Sequence, residues 1–135
     1  MKKSKDTVDI YPTIYGVDLV VAHKSATLED LKKDYMYYDG VELDDDLTSF
    51  ICSVCKCKRK SDNRCCVVIK YNHPSSVKGT DKKADLINTC AHEAAHVAFY
   101  IYEFMGESIC FCSQEPFCYL AGWAAECMYK TLQKK

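Results

Sequence analysis

The residues of this chain best suited to chemistry are His92, Glu93 and His96, in the run His92-Glu93-Ala94-Ala95-His96. On a helix, positions i and i+4 share a face, so both imidazoles can converge on one ion. Glu93 lies ~100° further round, able to address a water at that ion without ligating it. Average residue usage makes a chance HExxH in a chain this short an event on the order of one in a few hundred. The pattern is therefore read as a metal site, and zinc suits its nitrogen and oxygen donors.

A catalytic zinc wants three protein ligands and one open position. Downstream stand Glu103, Glu107, Glu115 and Glu126. Glu103 is two turns along the same helix, ~10 Å from His96, and cannot share the ion. Glu107 follows the helix too closely for the chain to return. Glu115 comes after 18 intervening residues, enough to end one helix, turn and come back. It shares a helical stripe with Tyr119, Gly122 and Glu126, and Glu126 lies ~16 Å from it along the axis. Glu115 is the chosen third ligand.

The elements that must position these groups follow from periodicity. Residues 28–38 read as a helix opened by Thr27 and stopped by Asp39-Gly40. Residues 7–23 are β-branched and aromatic, interrupted by Pro12 and Gly16, and read as one or two strands near a sheet edge. Residues 48–57 and 64–72 read as strands joined by a polar loop at 58–63. A long helix runs from about Asp81 to Phe104, opened by Thr80 and ended by Gly106. Ile87, Cys90, Ala94, Val97, Ala98 and Ile101 form its buried stripe. A last helix runs from about Glu115 to Gln133, with Pro116 in its permitted first turn. Strands first and helices last predict one α+β domain over 1–135, a small mainly antiparallel sheet packed against two long helices.

His92-Glu93-Ala94-Ala95-His96, 18 residues, then Glu115 resembles the HExxH-x18-E pattern of the gluzincin metallopeptidases. Gln114-Glu115-Pro116-Phe117-Cys118 is similar to the Asn-Glu-Gly-Phe-Ala segment around the third ligand of zinc aminopeptidases. The likeness covers residues 85–127, and the whole chain resembles small metallopeptidases carried by phages and prophages. The resemblance implies a zincin-like fold and a zinc-dependent peptidase acting on a peptide or protein substrate. A zinc-activated water would attack the amide, with Glu93 as general base. It also implies a Tyr or His that stabilises the oxyanion. Tyr119, one turn after Glu115, is the first choice; Tyr100, one turn after His96, His73 and His23 are the alternatives. By the same analogy, strand 64–72 would pair with substrate as an edge strand. The larger gluzincins carry further domains that shape a cleft, and none is expected within residues 1–135.

Composition narrows the rest. Eighteen Lys+Arg against 19 Asp+Glu give a formal net charge of −1, so nothing draws the chain to nucleic acid or an anionic membrane. No apolar run approaches the ~20 residues of a bilayer span. The start has lysines but no apolar segment behind them, which predicts a cytoplasmic protein. Its ten cysteines are then expected to be reduced, most of them buried as small hydrophobes. Two rival functions are a zincin-like module whose degenerate site serves a protein partner, and a nucleic-acid-binding zinc ribbon on Cys52, Cys55, Cys65 and Cys66. Adjacent Cys65 and Cys66 must face opposite ways on a strand, which weighs against the ribbon. Lys56, Lys58, Arg59 and Lys60 are read as solvated hairpin charge, and the tyrosines of 35–38 as packing residues.

Overall fold

The computed structural model describes residues 6–72 and 82–134. The chain is α+β: a five-stranded sheet with three helices. Its strands are β1 (Val8–Pro12), β2 (Val17–Ala22), β3 (Tyr35–Tyr37), β4 (Cys52–Arg59) and β5 (Cys65–Tyr71), in the spatial order β1-β2-β5-β4-β3. Every pairing is antiparallel except β2 with β5, which runs parallel with Val20 opposite Val68. The helices are α1 (Leu28–Asp34), α2 (Lys82–Met105) and α3 (Glu115–Leu132), with a 3₁₀ turn at Asp45–Thr48.

Strand alternation divides the core into two layers. Leu19, Val21, Val67 and Ile69 meet α2 and α3 on one face. Val20, Val68, Cys66 and Cys57 meet Leu31, Leu43 and Leu47 on the other. A strand covered on both sides reads as an unbroken apolar run, and β2 is buried at all six positions. The stripe anchoring α2 is Leu86, Cys90, Ala94, Val97, Ala98 and Ile101. Leu86 therefore takes the place expected of Ile87, which is 51% exposed.

Two expectations need correction. The helix expected over 28–38 ends at Asp34, although the Thr27 capping box is present. Tyr35 turns to extended backbone because Tyr35–Tyr37 docks on β4, where Tyr35 is buried; strand pairing overrides the helical spacing. The strand over 64–72 is not an edge. β5 is flanked by β2 and β4, so its backbone groups are already paired on both sides.

The open edge belongs to β4 instead. β3 covers only Cys57–Arg59 of that strand. The Arg59 N–H donates to the Arg64 carbonyl at 2.9 Å, and the Asn72 N–H to the Ile51 carbonyl at 2.6 Å. Odd-numbered residues of β4 thus direct their backbone groups at β5, and even-numbered ones away from it. The Lys56 carbonyl accepts from the Tyr38 N–H at 3.1 Å. Among the described residues no strand covers Cys52 or Val54 on that side.

The opposite edge is clamped. Asp9 on β1 accepts from Thr131 of α3 (2.8 Å) and Lys134 (2.8 Å), and its other oxygen lies 3.0 Å from His23 Nε2. Burial alone would raise the Asp9 carboxyl, but the bonds to Lys134, His23 and Thr131 outweigh it and lower it from 3.8 to about 2. Its stabilising contribution is therefore complete above the unfolded pKa and fades as pH falls through about 2. Asp9→Asn is expected to lower the melting temperature at pH 7 by about 3–6 °C. That gap should shrink between pH 4 and pH 2 in paired thermal melts; a constant gap would show that the carboxylate charge contributes nothing.

Candidate metal centre

α2 positions the centre because its buried stripe fixes which way the helix faces. Ala94, Val97 and Ala98 point into the core, which turns His92 and His96 outward and Glu93 toward β4. The imidazole centroids of His92 and His96 lie 5.1 Å apart with their planes at 68°. Ligand atoms of His92, Glu93 and His96 all fall within 4.8 Å of one another, the one such group among the described residues. His92 Nε2 is 3.8 Å from Glu93 Oε1.

The three side chains differ in their surroundings. His92 is largely exposed at 66%, whereas Glu93 is only 15% exposed. Burial raises the Glu93 carboxyl above its ordinary value, against the pull of His92 and His96. A more basic carboxylate is a better acceptor for a proton from water. Two neutral-capable imidazoles beside an oxygen donor suit a zinc-like ion, so the donor set fits the metal that the motif implies.

Glu115, expected as third ligand, opens α3 and is exposed; it lies outside the 4.8 Å group, as does Glu126. Glu126 instead pairs with Lys130 at 3.1 Å. The start of α3 is nevertheless docked beside the histidine-bearing face. Phe117, two residues past Glu115, packs on Phe99, three residues past His96, at a centroid distance of 4.8 Å.

The oxyanion candidates separate clearly. Tyr119 is 75% exposed on the outer side of α3. His23 is held by Asp9 at the opposite edge of the sheet. His73 lies outside the described residues. Of the three described candidates only Tyr100 lines a cavity of about 550 Å³ together with Glu93, His96 and the open edge at Cys52–Cys55. Helical side chains lean toward the N-terminus, so the Tyr100 phenol overlies the turn that carries His96. Tyr119 holds the same position one turn after Glu115, so spacing alone does not separate the two; the exposure of Tyr119 does.

The other candidate chemistries are absorbed by the fold. All ten cysteines are free thiols. Cys52 faces α2 and Cys55 the opposite layer, so the two cannot share an ion as a ribbon requires. Burial, reinforced by Glu93, pushes the Cys52 thiol far above its ordinary pKa. Only Cys57, Cys66, Cys90 and Cys127 are fully buried, fewer than expected, and Cys110, Cys112 and Cys118 are exposed. Three of the four hairpin cations are held in ion pairs: Lys56 with Glu103, Arg59 with Asp18 and Asp62, Lys60 with Glu42. No helix among the described residues is long and apolar enough to cross a membrane. No known protein family, curated protein or solved structure matches the chain.

Freshly purified protein is expected to carry one zinc per chain by elemental mass spectrometry, and His96→Ala none. Glu115→Gln should weaken zinc binding at least as much as the ~10–100-fold that loss of an outer partner costs. Zinc retained in full by His96→Ala would remove the centre from α2.

Proposed function

We propose that this chain is a zinc-dependent metallopeptidase of zincin-like build, with His92, His96 and Glu115 as ligands and Glu93 as general base. The observation that carries the reading is the juxtaposition of two things. One is the His92–Glu93–His96 group. The other is the uncovered edge of β4, which lines the same cavity as Glu93 and His96.

An extended peptide laid along that edge would find the N–H and C=O groups of Val54 and Cys52 directed at it. Its scissile amide would then lie under α2, within reach of Glu93. A zinc held by His92, His96 and Glu115 would supply Lewis acidity for the carbonyl and for the attacking water. Glu93 takes the proton released by that water and delivers it to the departing amine. Its low exposure keeps the carboxylate basic enough for the first transfer. Tyr100 replaces Tyr119 as the hydroxyl that donates to the developing oxyanion, because it lines the cavity and Tyr119 does not.

A rival reading, a metal-binding module that works through a protein partner, is favoured by one observation: Glu115 lies outside the ligand group. The two readings part at Glu93, since a purely structural site has no use for a carboxylate beside its open position.

Glu93→Gln is expected to retain zinc while lowering kcat by roughly 10²–10⁴-fold on a cleavable peptide. Tyr100→Phe should cost about 10²-fold in kcat and leave KM nearly unchanged, with Tyr119→Phe at wild-type rate. The Val54 N–H leaves the sheet, so Val54→Pro removes no ladder bond and should raise KM with little loss of melting temperature. Cys55→Pro breaks the bond to Val68 and should unfold the strand. Wild-type turnover in Glu93→Gln would end the enzyme reading.

A further inference from the structure

The cavity holding Glu93 and His96 continues along β4 into a second one of about 380 Å³. Val54, Cys55 and Tyr100 line both, so the two form one groove along the open edge. The second cavity is walled by Tyr37, Tyr38 and Tyr100, with Asp39 and Lys56 as its charged groups.

The charge of this groove is one-sided. Asp39, Asp46 and Glu93 line it against a single Lys or Arg, Lys56. That ammonium is already paired with Glu103. The rim beyond is the run from Asp39 to Asp46, which holds Asp39, Glu42, Asp44, Asp45 and Asp46 and no base. Lys60 pairs with Glu42, and the ammonium of Lys58 lies against the Gly40 turn, so five acids face two lysines and the rim stays acidic. The tyrosine walls already accept a cation, since the Lys56 ammonium sits 5.9 Å from the Tyr100 ring centroid.

We infer that the groove selects a basic peptide, with a Lys or Arg side chain lodged in the second cavity between the tyrosine rings and Asp39. This rests on the peptidase reading for the direction in which the chain is used, but not for its binding. An acidic side chain at that position would meet Asp39 and the carboxylates of the rim. A neutral apolar one would forgo both the ring faces' attraction for a cation and the charge of the wall.

The test is fluorescence anisotropy with the full chain carrying Glu93→Gln, so that bound peptide survives. Labelled heptapeptides differ only in one residue: Lys, norleucine or Glu. The Lys peptide is expected to bind about 10-fold more tightly than the norleucine one at low ionic strength, and the preference should fall with added salt. Asp39→Asn with Asp46→Asn, both at exposed positions, should abolish it. Equal affinity for the Lys and Glu peptides overturns the inference, as does a preference that survives the double substitution. Wild-type cleavage of the same peptides is followed in parallel. Cleavage without charge preference sinks only this inference, whereas Lys-selective binding without cleavage sinks only the peptidase reading. Binding of no peptide at all sinks both.

Discussion

Two imidazoles one helical turn apart converge on an ion only if the helix cannot rotate, and the rest of this structure depends on that constraint. The six buried residues of α2 set its angle on the sheet. Each large side chain among them contributes about 1.5–3 kcal/mol of burial. The small residues of the stripe matter differently. Ala94 and Ala98 let neighbouring elements pack closely against the helix, and both are fully or almost fully buried. A larger side chain at either would lift the helix and displace His92, Glu93 and His96 together. The geometry of the His92–Glu93–His96 group and the packing of the core are thus written in the same 24 residues.

The second determinant is which strand is left uncovered. β2 pairs parallel with β5 and so occupies the side of the hairpin away from β4. β3 is too short to cover β4, ending where the chain turns at Asp39-Gly40 with Gly40 at a φ of 94°. The shortness of β3 therefore opens the groove, and the same turn places Asp39 at its far end. An uncovered strand edge invites aggregation unless it is short or charged. Here the exposed stretch is only a few residues long, and it lies between α2 and a rim carrying five acids.

The α2 motif was legible from sequence because helical phase is local: the apolar period around residue 94 fixes where residues 92, 93 and 96 point. The β4–β5 hairpin and the limits of α3 were legible for the same reason, from the polar loop at 58–63 and from Pro116. What was hidden is non-local. Nothing in residues 64–72 reveals that β2, more than forty residues earlier, will lie beside them and convert an apparent edge into the sheet's centre. The boundary of α1 failed likewise, because Leu28, Leu31 and Tyr35 keep helical spacing while Tyr35 is claimed by β4. Tyr119 and Tyr100 were alike as residues near ligands. They part only once α3 has turned Tyr119 toward solvent.

The position of Glu115 follows from the same hierarchy of local and non-local forces. Its helix start is local, set by Pro116, and its neighbourhood is set by Phe117 against Phe99 and Tyr102. Those aromatic contacts bring the first turn of α3 beside the histidine face without fixing the carboxylate, which stays exposed. On the proposed ligand set a cation would draw the exposed Glu115 carboxylate inward, because moving it there without one would bury charge for no return. In this fold the helix packing fixes the two imidazoles and keeps the start of α3 within their neighbourhood. The electrostatic gain for the last movement then has to come from the ion itself.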